Sequence, residues 1–273
     1  MAAELNAASP ARRTYTETDM AQVECYPMAG GTVCVYTCRA PGKDTANEDS
    51  VAVVETGSDS GLIAVADGAG GFRAGEVASR TAIQSVLKAV DEAADGAARD
   101  AIITGIENAN DAVLGLGLGA ATTMAAMEIQ GRSVRIYHVG DSMALVVGQR
   151  GRIKLQTVSH SPTGYAVEAG YMDEDEAITH EERHLVSNLI GSQDMRLELG
   201  SALTLAPRDT ALLASDGLFD NLLIQEISDS IRTGPIERAL DGLVAKARTR
   251  MIEAHDGVPS KPDDMSVVLF RPT

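Results

Sequence analysis

The segment IAVADGAGG, residues 63–71, runs from an apolar, strand-like stretch directly into an aspartate and a glycine-rich turn. Four other segments place an aspartate where a run rich in Val, Ile, Leu and Ala meets a turn. They are TANEDS (45–50), IYHVGDSMALVV (136–147), ALLASDGLFD (211–220) and KPDDMSVVLF (261–270). Because a turn beside a buried strand lets the acid project at the edge of a sheet, we expect five aspartates to meet there: Asp49, Asp67, Asp141, Asp216 and Asp263.

Carboxylates gathered in this way repel one another, so they converge only when something cationic lies among them. These segments contain few lysines or arginines, and the sequence therefore predicts metal ions as that charge. Hard oxygen ligands of this kind suit Mg²⁺ or Mn²⁺. Two such ions roughly 3.5–4 Å apart can hold a water or hydroxide and a phosphoryl oxygen together, which indicates phosphoryl hydrolysis without a nucleophilic Ser or Cys.

Composition narrows the class of protein. The 273 residues are 44% hydrophobic, enough for one large domain with a substantial core. Asp and Glu number 39 against 23 Lys and Arg, a net charge of -16. This acidity argues against nucleic acid and against an anionic membrane surface as partners. No stretch approaches the length of a membrane span, and we expect a cytoplasmic protein.

The N-terminal residues and the cysteines are less informative about the fold. Residues 1–25 lack a hydrophobic signal region and are predicted to be a flexible tail, followed by one catalytic domain over residues 26–273. An odd count of cysteines does not suggest a disulfide framework. Cys34 and Cys38 fall on one face of a predicted strand, where small core side chains are a better interpretation than a metal pair.

Hydrophobic patterning predicts a layered α+β domain with antiparallel strands. Runs typical of strands occupy residues 32–37, 51–55, 62–66, 134–139, 143–147, 210–214 and 266–270. Amphipathic helices are predicted over residues 75–93, 99–114 and 236–253. The turn at 140–142 is short enough for an antiparallel hairpin between its flanking strands. Residues 159–191 are polar and mixed, which is typical of a surface insertion beside a site.

At its motifs the chain resembles the metal-dependent protein phosphatases of the 2C type, from about residue 33 to residue 270. The motifs that carry the resemblance, in family order, are NEDS (47–50), VADGAGG (65–71), GAATT (119–123), HVGDS (138–142), SDGLFD (215–220) and PDDMSVVL (262–269). The resemblance implies a four-layer α-β-β-α sandwich of two antiparallel sheets flanked by helix pairs. It also implies hydrolysis of phosphoserine and phosphothreonine in proteins, with residues 159–191 as a variable flap beside the site. We further expect a cognate Ser/Thr kinase system and a monomeric protein.

The resemblance assigns the principal ligands of two Mg²⁺ or Mn²⁺ ions. Asp67 would bridge both ions, Asp216 and Asp263 would ligate one of them, and the carbonyl of Gly68 would ligate the other. Asp49 would act through metal-bound water. The reacting water would then be positioned by Asp49, Asp67 and Asp216.

Further acids have implied roles around this pair of ions. Glu48 is a second candidate, beside Asp49, for action through metal-bound water. Asp141, together with Asp216, would hold a third and weaker ion. Asp220 would lie beside these ligands without binding a metal.

Two positions depart from the pattern of the family. Many members carry an arginine that binds substrate phosphate four residues before Glu48, but this chain has Asp44 there, with Lys43 beside it. Lys43 would supply a point charge without bidentate recognition, and it is the candidate phosphate contact. Some members carry a histidine as general acid two residues after Asp67, where this chain has Ala69.

Two other functions remain open at this stage. A non-hydrolysing signalling module that keeps the fold and metals but only binds partners is favoured by Asp44. A zinc peptidase is suggested by HEERH at residues 180–184, which fits H-E-x-x-H with Glu181 as base. That motif lacks a following G-x-x-H, and Glu198 would become a third ligand only by coincidence of folding. His138, inside an apolar strand, is predicted to be a core residue rather than a ligand.

Overall fold

Short antiparallel strands dominate the structure, a computed structural model that describes residues 12–69, 74–94, 97–253 and 258–273. Its strands are β1 (Arg12–Thr16), β2 (Glu24–Met28), β3 (Gly31–Cys38), β4 (Ser50–Gly57), β5 (Ser60–Ala66), β6 (Gly68–Ala69), β7 (Ala121–Thr122), β8 (Met124–Gln130), β9 (Ser133–Val139), β10 (Met143–Val147), β11 (Ile153–Gln156), β12 (Glu198–Leu199), β13 (Leu203–Thr204), β14 (Thr210–Ala214) and β15 (Met265–Pro272). Its helices are α1 (Gly75–Asp91), α2 (Ala98–Gly115), α3 (Pro162–Glu168), α4 (Glu174–Ala177), α5 (Asp216–Phe219), α6 (Ile224–Ile231) and α7 (Ile236–Ile252).

Two antiparallel sheets form the centre of the fold. One has the strand order β1-β4-β5-β8-β9-β12, and β13 also pairs with β9. The other has the order β11-β10-β14-β15-β3-β2, and a two-stranded ladder joins β6 to β7. The predicted layered α+β architecture is confirmed.

Strand β5 shows how the layers are built. Ile63 and Val65 contact the core between the two sheets, whereas Leu62, Ala64 and Ala66 contact the core under α1 and α2. Successive side chains of a strand point to opposite faces, so a strand covered on both faces is apolar throughout. The α6–α7 pair lies on the other sheet, where α7 contacts β3 and β15. The order of layers is therefore helix pair, sheet, sheet, helix pair.

The predicted helices agree with α1, α2 and α7 to within two residues at each end. In α2 the side chains of Ile102, Ile106, Ala109 and Val113 are buried, at spacings of four, three and four. This spacing places them on one face of a helix, and that face packs against α1. The periodic apolar stripe therefore predicts both that this segment is a helix and which face of the helix is buried.

The predicted hairpin at residues 140–142 is wrong. Strand β9 pairs with β8, β12 and β13 in one sheet, and β10 pairs with β11 and β14 in the other. The turn therefore carries the chain from one sheet to the other. Gly140 has φ of 103°, a left-handed backbone that favours glycine and suits this abrupt change of direction. A short turn permits a hairpin, but the partners available to each buried strand decide whether one forms.

The predicted flexible tail over residues 1–25 is too long. Residues 12–16 form β1, which pairs with β4, and residues 24–28 form β2, which pairs with β3. Residues 1–11 lie outside the described part of the chain. The sequence patterns of β1 and β2 are weak because both are edge strands with mostly exposed or half-buried side chains.

A disulfide joins Cys25 to Cys34, contrary to the expectation from the odd cysteine count. The two residues lie directly opposite each other on β2 and β3, with a Cα–Cα distance of 4.1 Å. Cys38 is buried and free. The spacing of Cys34 and Cys38 shows only that they share one face of a strand. The disulfide depends on the register between β2 and β3, which cannot be predicted from that spacing.

The predicted insertion at 159–191 contains the short helices α3 and α4. The Ser161 side chain accepts a hydrogen bond from the backbone of Gly164 at the start of α3. Asp173 and Glu176 form a reciprocal capping box on α4. Over the described ranges, none of the helices has the length and apolar character needed to cross a membrane.

Candidate metal centre

The sheet topology brings the ends of five strands to one rim. In the six-stranded sheet, the end of β14 lies beside the beginnings of β10 and β15. Asp216 follows β14, while Asp141 and Asp263 precede β10 and β15. In the other sheet, the end of β5 lies opposite the beginning of β4, so Asp67 and Asp49 are neighbours. Antiparallel pairing places alternate strand ends together, which is why residues distant in sequence meet here.

Asp67 is held by its backbone, which leaves its side chain free to face the other acids. Its N–H donates to Thr123 Oγ1 at 3.1 Å, and its carbonyl accepts from Thr122 Oγ1 at 2.7 Å and from Thr123 N–H at 2.9 Å. These two threonines belong to the GAATT segment. The segment therefore positions the chain immediately after β5.

Asp49 links the two sheets. Its N–H donates to Asn47 Oδ1 at 2.9 Å, which fixes the turn before β4. Its Oδ2 atom accepts from Ser215 Oγ at 2.8 Å, directly before Asp216. Its Oδ1 atom is buried and has no hydrogen-bond partner in the described structure.

Gly68 lies in a crowded part of the site. A Cβ atom added there would come within 2.1 Å of the Gly75 carbonyl oxygen and 2.8 Å of the Glu48 carbonyl oxygen. Only glycine permits this close approach of three backbone segments. Gly70 and Gly71 of the same turn lie outside the described residues.

The acids from both sheets lie close enough to influence one another's ionisation, so they form one group. Burial, and then repulsion from Asp49, Asp216, Asp263 and Asp141, raises the pKa of Asp67 well above its usual value. Burial is also the largest cause of the raised pKa values of the other four aspartates. Each additional negative charge opposes ionisation of the rest. The group is therefore suited to a cation.

Oxygen atoms without partners support the fit to divalent cations. Asp49 Oδ1 and Asp216 Oδ1 are both buried and unpaired within the described ranges. A buried carboxylate oxygen left without a partner is costly, because it has lost its water and gained nothing in return. Carboxylates, a nearby main-chain carbonyl and the scarcity of nitrogen and sulfur donors match the preference of Mg²⁺ and Mn²⁺ for oxygen.

Lys261 also lies among the acids, and the expectation of few basic side chains at this rim missed it. Its Nζ atom lies 2.5 Å from Asp216 Oδ2, 2.8 Å from Asp220 Oδ2 and 3.0 Å from Asp263 Oδ2. Burial alone would lower the pKa of Lys261, but the attraction of these carboxylates outweighs it and raises the pKa. The signal was present in the sequence, since Lys261 stands two residues before Asp263.

Lys43 lies beside Glu48 at the margin of the group. Its ammonium contacts Glu48 Oε2 and Asp264 Oδ2, each at 2.6 Å. Asp264 also accepts from the backbone N–H groups of Glu48 and Ala40, both at 2.7 Å. Asp44 is exposed. The ammonium of Lys43 is therefore already shared by two carboxylates.

A second polar cluster beside the Gly140 turn consists of two buried histidines, His138 and His160, and the exposed Glu198. The rings of His138 and His160 are 4.3 Å apart, and His160 Nε2 lies 3.0 Å from Glu198 Oε2. Gly140 N–H donates to His160 Nδ1 at 3.1 Å, so the proton of neutral His160 sits on Nε2 and is donated to Glu198. Burial, and then His160, lowers the pKa of His138 to about 3. With its proton on Nε2, His160 has no lone pair to offer a metal there.

The HEERH segment does not form a zinc-binding helix. Helix α4 ends at Ala177, and residues 181–184 form a turn. His180 Nδ1 accepts from the backbone of Glu182, and His184 is exposed. Without helical geometry the two imidazoles are not presented on one face, so the physical basis of the motif is missing.

A cleft of about 350 Å³ separates the flap from the acids. Asp141, Asp216 and Asp220 line one part of it, and Ile178 and Arg183 of the flap line another. A ligand in this cleft would therefore reach the clustered aspartates.

Comparison with known proteins agrees with these features. Residues 40–246 match the family model described as protein phosphatase 2C. Protein phosphatase PhpP of Streptococcus pneumoniae is 30% identical over 199 residues, which cover 69% of this chain and 80% of that protein. The serine/threonine phosphatase of S. agalactiae is 27% identical, with a TM-score of 0.75 and coverage of 88% of this chain and 99% of that one. The catalytic domain of the phosphatase PstP, solved with two manganese ions, is 25% identical, with a TM-score of 0.67 and coverage of 88% and 96%.

Proposed function

The chain belongs to the protein phosphatase 2C family, and from this premise we propose that its converging aspartates hold the metal ions of the reaction. It is a metal-dependent protein-serine/threonine phosphatase, and its substrates are phosphorylated proteins. The observation that carries the proposal is the meeting of five aspartates at one rim, two of them with buried, unpaired oxygen atoms. Two divalent cations would lower the pKa of a water molecule and offset the negative charge that develops at phosphorus.

The residues of this chain take distinct parts in the proposal. Asp67, whose neighbours include acids of both sheets, would be a ligand of both ions. Asp216 and Asp263 would hold one ion, and the Gly68 carbonyl would hold the other. Asp49, whose Oδ2 atom accepts a hydrogen bond from Ser215, would orient the reacting water through its other oxygen.

The other acids surround this core of ligands. Glu48, whose carboxylate is bound by Lys43, would orient water at the margin of the site. Asp220, which shares Lys261 with Asp216, would not bind a metal. Lys261 already contacts Asp216, one of the two acids of the predicted third ion. Mn²⁺ is the preferred ion in this proposal, on the analogy of the manganese in the PstP structure.

Lys43 is the proposed contact for the substrate phosphate. Its ammonium neutralises part of the charge of Glu48 and Asp264, so an anionic phosphate meets less repulsion at this side. A direct contact requires the ammonium to give up one of these two carboxylates. Lys43 therefore contributes affinity for the substrate and leaves the metal ligands unchanged.

The alternative of a module that only binds partners is not favoured. Asp44 replaces the usual arginine, but this change removes none of the proposed ligands, and the similar proteins are described as phosphatases. A cognate Ser/Thr kinase, a monomeric state and a cytoplasmic location remain predictions from the sequence. Light scattering in solution tests the monomer.

Turnover of p-nitrophenyl phosphate with and without Mn²⁺ tests the proposal. Asp67→Asn should reduce manganese-dependent turnover on the order of 10³-fold, since charge stabilisation by metal ions is worth several kcal/mol. Asp241→Asn, which removes an exposed charge from α7, is the matched control and should keep full activity. Turnover that survives in Asp67→Asn, or that needs no metal in the parent protein, would remove the basis of the proposal.

A further inference from the structure

We propose that Lys261, held by Asp216, Asp220 and Asp263, is a built-in cation that takes the place of a third metal ion beside Asp216. The proposal rests on the proposed function, because it assumes that the rim of aspartates is a metal centre. Its consequence is that the chain binds two divalent ions, and that removal of the lysine charge opens a site for a third.

The ammonium of Lys261 is fully committed to these acids. An ammonium group has three N–H donors, and Nζ lies within 3.0 Å of a carboxylate oxygen from each of Asp216, Asp220 and Asp263. The side chain is 23% exposed. Because the number of donors equals the number of carboxylates, the group behaves as a coordinated cation rather than as a solvated surface lysine.

The backbone of Lys261 is fixed in a way that directs the ammonium into the rim. Lys261 N–H donates to Asn221 Oδ1 at 2.8 Å, and Asn221 Nδ2 donates back to the Lys261 carbonyl at 2.9 Å. The same Nδ2 also donates to the Gly217 carbonyl at 2.9 Å. Asn221 is completely buried and follows Asp220 directly. One amide therefore anchors the lysine to the turn that carries two of its carboxylate partners.

The position of this charge bears directly on a third ion. Asp141, Asp216 and Asp220 line the same cleft, and the ammonium of Lys261 contacts Asp216 and Asp220. A divalent cation bound through Asp141 and Asp216 would share Asp216 with the ammonium of Lys261, and the two positive charges would repel each other. It would also find one Asp216 oxygen already bound by the ammonium.

A lysine differs from a metal ion because it cannot dissociate. It keeps Asp216 and Asp263 partly neutralised when no divalent ion is bound, and it limits the repulsion within the metal-free site. It cannot lower the pKa of a water molecule by coordination. Lys261 therefore acts on the arrangement and the metal affinity of the acids, as a positioning residue.

Titration of the full chain with Mn²⁺, followed by the electron paramagnetic resonance signal of the free ion, tests the proposal. The parent protein should bind two ions, and Lys261→Gln should bind three, the third at least about tenfold more tightly than any third ion in the parent. Lys261→Arg, which keeps the charge, should bind two. Lys154→Gln is the matched control, because Lys154 is 26% exposed, pairs with Asp209 and lies toward the far end of β10.

The outcomes separate this inference from the proposed function. Two ions in both the parent and Lys261→Gln, or three ions in both, overturn the role of Lys261 and leave the metal centre intact. No bound ion in the parent overturns both. The melting temperature of metal-free Lys261→Gln should fall below that of the parent and recover more strongly with Mn²⁺. A variant that melts like the parent in chelator contradicts the proposed neutralisation, whatever its activity.

Discussion

Replacing Asp263 with asparagine should stabilise the metal-free protein at neutral pH while removing metal-dependent turnover. Burial, and then repulsion from Asp216, raises the pKa of Asp263 from 3.8 to about 6, although Lys261 opposes the change. An acid whose pKa is raised by folding favours the folded state while it is protonated. That contribution is present below pH 3.8 and is lost as the pH rises to about 6.

The size of the effect follows from the shift. A rise of about two pKa units corresponds to about 3 kcal/mol. The Asp263 side chain is 37% exposed, so we halve this figure for solvent screening, to about 1.5 kcal/mol. In a chain of this length such a gain raises the melting temperature by ~3–6 °C. Asparagine keeps the Oδ1 acceptor that receives the Asp264 N–H at 2.9 Å, but it cannot ionise.

Differential scanning calorimetry in EDTA measures this gain. The difference in melting temperature between Asp263→Asn and the parent should grow from about pH 4 to about pH 6 and stay constant above it. The shifted pKa of His138 does not depend on Asp263, so its contribution is the same in both proteins. Asp67 loses one of the charges that raise its pKa, and this change adds to the gain in the same direction. Asp241→Asn should show no such trend. A metal-free Asp263→Asn that melts several degrees below the parent at neutral pH would refute the reasoning, because Asp263 would then be a structural residue. In Mn²⁺ the order should reverse, because the variant loses a ligand.

Two further perturbations test other parts of the site. Asp44→Arg should lower the Michaelis constant for a phosphorylated peptide and leave kcat unchanged, because it adds positive charge beside Lys43. Asp59→Arg, at the far end of β4 and β5, is its control, and an equal decrease in both variants would indicate a general charge effect. Gly68→Ala should cost about 1–3 kcal/mol of unfolding free energy in a denaturant titration, since its Cβ would approach the Gly75 oxygen to 2.1 Å. Gly115→Ala, where nothing lies within 4 Å, is the matched control, and equal stability of the two variants would contradict the crowding at Gly68.

Local sequence patterns predicted the elements well where a single period decides the structure. The apolar stripe of α2 is typical of a helix with one buried face. The continuous apolar run of β5 is typical of a strand covered on both faces. The strands predicted over 143–147 and 210–214 match β10 and β14 at both ends. The positions of the five aspartates at strand ends could also be predicted, because each acid lies within two residues of an apolar run.

Contacts between distant segments could not be predicted from local sequence patterns. The turn at 140–142 was compatible with a hairpin, but β9 pairs within one sheet and β10 pairs within the other. Cys25 and Cys34 became neighbours through the register of β2 on β3. Lys261 was visible next to Asp263, but its contact with Asp216 required the end of β14 to lie beside the beginning of β15.

The amino-acid sequence by itself determined which side chains carry negative charge at the ends of buried strands, and the family to which the chain belongs. These properties are local, because a strand, a turn and a motif depend on residues close together in the chain. Only the tertiary structure decided that carboxylates from two sheets share one rim, and that an ammonium held by Asn221 lies among them. Electrostatic interaction depends on distance in space, and folding sets that distance for residues more than two hundred positions apart.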